Sequence, residues 1–374
     1  WRQIGLCAEE YYDVFSDVPQ VHMSAWYDPY SRTATDNYLA LTNVKKGPVS
    51  LLMGPWTHGQ RAVTYSGDVD FGPSSVIDNN LEIDFNHLRM RFFDRWLKGQ
   101  ENGWEDAAPV KLFVMGGGSG RKNSVARLEH GGQWRSENEW PLARADNRKF
   151  YLKPGGSLAP KLSEQTHPPS SYLFDPNNPV PTVGGNISSG QPVMAAGGFN
   201  QTESEEFFGS KKPYLPLASR PDVLVFQTIP LANDVEVTGP VSVQLWISSS
   251  AVDTDFTAKL IDVYPPSVDY PEGYALNLTD GILRVKFRSS WERTELMKPG
   301  EIYQVEINLL PVSNLFAKGH RIRLDVSSSN FPRFDVNGNT GENPGTSSVR
   351  VTALNSVFHD QDRPSHVLLP VIPQ

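Results

Sequence analysis

The sequence predicts an α/β segment followed by an all-β domain, and three observations carry that prediction. Between residues 18 and 59, two short apolar runs flank a polar stretch with helical spacing. Leu81, Phe85, Leu88, Phe92 and Trp96 then recur every three or four residues, the period of an amphipathic helix. Beyond Val223, apolar and polar residues alternate in run after run, as in strands with one buried face.

Residues 1–17 are aromatic and acidic (Trp1, Tyr11, Tyr12, Phe15) and read as a helix or loop feeding the first strand. The run 18–26, rich in Val, Met and Trp, is a buried strand. In residues 33–44, Tyr38, Leu41 and Val44 are spaced by three, a modest helix that Lys45-Lys46-Gly47-Pro48 ends. Residues 49–53 form the next strand. A β–α–β unit this short implies parallel neighbours and a right-handed crossover. Asp28 and His58, just beyond the two runs, therefore face the same edge of the sheet. The stripe ending at Trp96 predicts a helix of about five turns packed on that sheet. Asn79 and Glu82 are its expected capping box, and Lys98-Gly99 its end. Residues 109–115 are one more strand, and Gly116 to Gly120 a turn. The run MGGGSGRK matches neither phosphate-binding glycine pattern.

From about Phe150 the helical signal stops. Residues 154–220 are rich in Pro, Gly, Ser and Asn, with short strands at most. Val243, Leu245 and Ile247 alternate with polar neighbours, as do Leu283, Val285 and Phe287, then Val305, Ile307 and Leu309, then Ile322, Leu324 and Val326. The strand count suits a jelly-roll β-sandwich. The division expected is 1–145 for the α/β part and 146–374 for the β part.

The 374 residues favour two domains. A net charge of −8 without a basic stripe argues against nucleic acid as a partner, and no apolar run is long enough to span a bilayer. Cys7 is the sole cysteine, so no internal disulfide or cysteine metal site is available. The start at Trp1 reads as an interior position of a longer protein, which leaves localisation unknown.

Asp28 and His58 are the candidate catalytic pair, an acid and an imidazole delivered from the ends of successive strands. Each also has a plain structural reading, as a turn-former and as a surface or capping group. In an α/β-hydrolase the order is Ser, Asp, His, with the serine in a G-x-S-x-G elbow. Acid before histidine fits, but no serine here lies in such an elbow. Asp253-Thr254-Asp255 lacks the glycine turn and distal Glu of a calcium loop and reads as a turn. His320, His359 and His366 lack metal-ligand spacing, so their roles are read as structural and no metal is expected. The arginines of the β strands read as a solvated face.

The stretches AWYD (25–28) and GPWTH (54–58) resemble the acid and histidine segments of the CocE/NonD hydrolases. These include cocaine esterase, X-Pro dipeptidyl-peptidase and α-amino-acid ester hydrolase. The likeness continues through FFDRWLKG (92–99), PVKLFVMG (109–116), WRSENEWPL (134–142), YLKPGGSL (151–158), DVLVFQT (222–228), residues 237–265, DGILRVKFR (280–288), residues 319–341 and RPSHVLLPVIP (363–373). The resemblance implies the C-terminal part of an α/β-hydrolase domain, with the end of a cap region at 1–17. A jelly roll of the X-Pro dipeptidyl-peptidase C-terminal type would follow. It implies that Asp28 orients the histidine, that His58 is the general base, and that the serine and oxyanion hole lie upstream, so this chain alone should be inactive. Tyr30, Trp26 and Trp56 are candidate walls of the acyl pocket, with packing the plainer role for each tryptophan. Pro29, Tyr30 and Ser31 follow Asp28, without the carboxylates that the amino-acid-ester branch places there, which favours a neutral acyl ester or amide. The implied partners are that small substrate and other copies of the full-length protein; no cofactor is implied. The alternatives are release of X-Pro dipeptides and a non-catalytic carbohydrate-binding jelly roll.

Overall fold

The computed structural model describes residues 7–188, 190–343 and 347–373. Residues 1–6, the start of the expected lead-in, lie outside the described residues, and a 3-10 helix (Ala8–Val14) follows them. Strand β1 (Gln20–Tyr27), helix α1 (Ser31–Val44) and strand β2 (Val49–Thr57) then come in the expected order. β1 and β2 are parallel, with Gln20 opposite Val49 and Met23 opposite Leu52. The strand Val110–Met115 joins β2, again parallel, and Gly132–Glu137 pairs antiparallel with that strand. α1 buries Tyr38 and Leu41 in the core it shares with both strands. It ends at its basic-Gly-Pro signal: Lys45 is extended, and Asp17 Oδ1 accepts the N–H groups of Lys46 and Gly47 at 3.1 and 2.7 Å.

Helix α2 spans Phe85–Lys98, shorter than the apolar spacing suggests. The capping box expected from Asn79 and Glu82 does not form. Asn79 has a φ of 60°, incompatible with an N-cap, and its N–H bonds to the Glu82 carbonyl. Asp84 caps instead, in extended conformation, with its carboxylate accepting the His87 N–H at 2.7 Å. Gly99, at φ 69°, closes the helix where predicted. The stripe packs only in part. Leu81, Phe85 and Leu88 lie against Ala25, Leu52, Trp56 and Ile77, yet no residue of α2 is buried. A groove of about 500 Å³ stays open between α2 and β1, lined by Val21, Met23, Leu88, Phe92, Phe93 and Trp104.

The remainder is mostly antiparallel strand. Asp255–Tyr264 lies between Tyr274–Arg284 and Arg321–Ser327. Ser242–Ser249 pairs with Tyr303–Asn308 along one edge and with Ala353–Phe358 and His366–Ile372 along the other. Val243, Leu245 and Ile247 are buried and their neighbours are not, as the alternation predicts. Pairing is continuous through 17 strands, so among the described residues the molecule is mainly one nearly closed sheet with few helices. Arg135 from Gly132–Glu137 and Glu236 from Val235–Gly239 link those two strands through paired contacts of 2.8 and 2.7 Å.

Two expectations change here. The alternation through Leu283, Val285 and Phe287 stops at Arg284, and Val285–Phe287 is a 3-10 turn. Asp253 accepts the Lys286 N–H, and Lys286 Nζ reaches the carbonyls of Gly341 and Glu342, which draws this segment inward. The strand arginines are not a solvated face either. Arg323 and Asp325 are buried together, and Arg284 meets the buried Asp255 through two contacts of 2.9 Å. Asp253-Thr254-Asp255 is likewise buried and leads into a strand, its two carboxylates bridged by Asn337.

His320, His359 and His366 all make structural contacts, with Asp262, Ser170 and the Pro364 carbonyl. His130, which carries no sequence signal, is wholly buried. Its Nε2 donates to Asn314 Oδ1 at 2.8 Å while Nδ1 meets the Tyr264 hydroxyl, a pattern that fits the neutral ring. Burial holds His130 below the ordinary imidazole range.

Two outcomes follow from this architecture. An imidazole kept neutral in the fold takes up a proton on unfolding, so below about pH 6.5 the unfolded chain binds more protons and stability falls with pH. Urea unfolding at pH 7.5 and 5.5 should therefore show a larger loss of stability at the lower pH in the wild type than in His130→Gln; equal losses would contradict it. Among the described residues β1 pairs only with β2, leaving a strand edge beside an apolar groove, a setting for association. The isolated chain should show a sedimentation coefficient that rises with concentration, and a monodisperse monomer would count against this.

Candidate active site

The ladder between β1 and β2 runs in register from Gln20↔Val49 to Ala25↔Gly54 and resumes at Tyr27↔Thr57. One residue of β1 (Trp26) thus faces two of β2 (Pro55 and Trp56), a bulge that re-aims both strand ends. Asp28 and His58 are the next residue on each strand. The Asp28 N–H bonds to the Ala25 carbonyl at 3.1 Å, and Asp28 Oδ1 accepts the Tyr30 N–H at 2.9 Å, so the carboxylate is fixed by its own turn. Asp28 Oδ2 meets His58 Nδ1 at 3.0 Å. The Asp28 side chain is 7% exposed and that of His58 51%. The acid is therefore interior, and the ring stands at the surface with Nδ1 turned inward. An acceptor on Nδ1 selects the neutral tautomer with its lone pair on Nε2, the arrangement a general base needs.

Each expected site residue has a definite place. Tyr30 is half exposed, and its ring meets that of His58 edge-on at 5.1 Å between centroids. Trp26 and Trp56 take interior positions rather than places on an open wall. Trp26 is fully buried, its Nε1 donates to the Phe113 carbonyl at 2.6 Å, and its ring lies against Trp140. Trp56 Nε1 donates to the Ser75 carbonyl at 3.1 Å, and its ring packs on Trp134 and over Gly54. The bulge explains both: it turns the bulky residues of the two strand ends into the layers on either side of the sheet, leaving Asp28 and His58 at the edge.

Sequence reasoning missed Asn186 and Asn277. Asn186 Nδ2 donates to the Trp26 carbonyl, and the Tyr27 hydroxyl donates to the Asn277 carbonyl at 2.8 Å. These contacts span 160 and 250 residues, beyond any local pattern.

Comparison with known proteins identifies relatives of the chain. Residues 102–368 match the model of the X-Pro dipeptidyl-peptidase C-terminal non-catalytic domain. The chain is 34% identical over 365 residues to cocaine esterase of Rhodococcus sp. (strain MB1 Bresler), covering 95% of this chain and 56% of that protein. It belongs to the CocE/NonD family of hydrolases. Among solved structures, an α-amino acid ester hydrolase aligns over 97% of this chain and 57% of its own, with a TM-score of 0.76 and 24% identity. A CocE/NonD family hydrolase from Staphylococcus aureus aligns over 95% of this chain and 55% of its own, with a TM-score of 0.62 and 16% identity. At these identities the structural matches establish the fold alone. The chain spans just over half the length of the cocaine esterase it matches.

A Cβ added at Gly54 would lie 2.4 Å from the Trp56 ring. Gly54→Ala should therefore push Trp56 off its seat and destabilise the chain by about 1–3 kcal/mol, the usual cost of overpacking. Denaturant titration followed by tryptophan fluorescence checks this; an unchanged midpoint would show that Trp56 yields freely.

Proposed function

We propose that this chain is the C-terminal part of a serine hydrolase that cleaves acyl esters, or amides, through an acyl-enzyme. The observation that carries the proposal is the 3.0 Å contact between Asp28 Oδ2 and His58 Nδ1 at the ends of paired parallel strands. The relationship to cocaine esterase supports it. In this reading, β1, α1, β2 and the strand Val110–Met115 are the C-terminal part of an α/β-hydrolase domain, with residues 1–17 the end of its cap. The strands from residue 146 onward form a jelly roll. The nucleophilic serine and the oxyanion donors come from sequence upstream of Trp1.

The steps follow from the proton inventory. The serine hydroxyl attacks the acyl carbonyl as its proton passes to His58 Nε2, while Asp28 holds Nδ1–H and steadies the imidazolium that forms. The tetrahedral adduct collapses, the C–O bond to the leaving alcohol breaks, and His58 returns the proton to that oxygen. Water then attacks the acyl-serine by the same proton path, releasing the acid and restoring the serine. Tyr30, beside His58, is the substrate-facing aromatic group. Trp26 and Trp56 support the site from behind. With Pro29, Tyr30 and Ser31 after Asp28, no acid there would grip a substrate ammonium, which favours neutral acyl groups.

The protein that carries its upstream segment should hydrolyse p-nitrophenyl acyl esters faster than an X-Pro anilide. Asp28→Asn should lower kcat by about 10⁴-fold and His58→Ala by about 10⁶-fold, and residues 1–374 alone should stay at the background rate. Full activity in either variant, or no G-x-S-x-G within about two hundred residues upstream, would overturn the proposal.

A further inference from the structure

At the bulge, the step from Trp26 to Tyr27 faces Pro55, which has no N–H to give the ladder. The Trp26 carbonyl finds its donor elsewhere, in Asn186 Nδ2. Asn186 is 2% exposed, and its Oδ1 is buried with no partner among the described residues. An isosteric apolar residue would leave no such atom unpaired, so burial alone gives no reason for an amide here. What the amide supplies is one donor, aimed at the backbone two residues before Asp28.

The loop that presents Asn186 is built to hold it still. Gly185 and Gly197 exchange N–H···O bonds of 2.8 and 2.9 Å on its flank. Gly184 has a φ of 65°, and a Cβ there would lie 2.5 Å from Phe199. Asn277 locks the same loop, accepting the Phe199 N–H at 2.7 Å and donating to the Gly197 carbonyl at 3.2 Å. Its own carbonyl takes the Tyr27 hydroxyl. Both residues preceding Asp28 are thus gripped, one by its carbonyl and the other by its side chain, from a region within the match to the domain described as non-catalytic.

We propose that Asn186 is a positioning residue for Asp28: by fixing the Trp26 carbonyl it sets the carboxylate that orients His58. This rests on the catalytic reading above, and the test separates the two. In the protein that carries its upstream segment, Asn186→Leu should lower kcat for an acyl ester at least tenfold with KM changed less than threefold. Asn355→Leu, at an equally buried asparagine on the strand Ala353–Phe358, should keep kcat within twofold. Tyr27→Phe, which removes the separate grip from Asn277, should give a smaller loss, and Asn186→Ala serves if Asn186→Leu does not fold. Histidine ¹⁵N spectra provide a readout that does not depend on turnover. His58 should appear as the Nδ1–H tautomer in the wild type and as a mixture in Asn186→Leu or Tyr27→Phe. Unchanged kcat and tautomer in the folded variants, with Asp28→Asn inactive, would overturn the positioning role. Activity retained in Asp28→Asn would overturn the catalytic reading instead, and the ¹⁵N comparison would still decide the role of Asn186.

Discussion

Parallel pairing of β1 with β2 is the constraint from which the geometry of the candidate site follows. Two parallel strands joined by one helix end on the same edge of a sheet, so the residues just past them are neighbours whatever lies between. A one-residue slip would turn one of the two side chains to the opposite face. The register is held by burial: Leu51 and Met53 on β2 and Trp26 and Tyr27 on β1 enter one core, together with Leu112 and Phe113 of the next strand. The bulge then adds what a regular ladder lacks. It lets β2 run one residue longer than β1, so that Asp28 meets His58 through Nδ1 and the other side of the ring is left open.

The β-rich part depends on a different balance. Its central strands are buried on both faces, because loops such as the one carrying Asn186 cover the outer side of the sheet. Polar residues that alternation assigns to solvent are therefore enclosed, and each has to bring its own partner. Arg323 lies beside Asp325 two residues on, Arg284 faces Asp255 on the adjacent strand, and Arg333 reaches Asp280 from a loop. Removing one member of such a pair leaves a buried charge behind, which costs far more than the intact pair contributes. Lys259, enclosed with Nζ on Gln201 Oε1 at 2.7 Å, has burial pushing its ammonium below the ordinary lysine range.

Legibility in the sequence followed the range of the interactions. β1, α1 and β2 are written locally in apolar runs and a Gly-Pro stop, and all three form where expected. So do the alternating strands at Ser242–Ser249 and Tyr303–Asn308. The cap of α2 was misread because Asp84 and Asn79 are both plausible caps by residue type, and only backbone conformation distinguishes them. Solvent exposure of the strand arginines was misread because period-2 alternation reports which face is apolar, not whether a loop covers the other. The acid–histidine pair was legible through strand order. The contacts that hold it were not, since Asn186 and Asn277 reach β1 from across the chain.

That asymmetry bears on how such a site is assembled. The contact between Asp28 and His58 needs only β1, β2 and the turn that fixes the carboxylate, all between Gln20 and His58, whereas the grip on Trp26 and Tyr27 needs the β-rich part folded against them. A local unit of this kind can bring the two groups together, but a carboxylate held only by its own turn rides on a strand end that is free to shift. Coupling that end to the buried amide of Asn186 on a loop and to the Asn277 carbonyl on a strand removes the freedom, and small errors in placement are what degrade an acid–base pair. In the proposed enzyme, the domain described as non-catalytic would then share in catalysis without touching the substrate, by deciding where the acid stands.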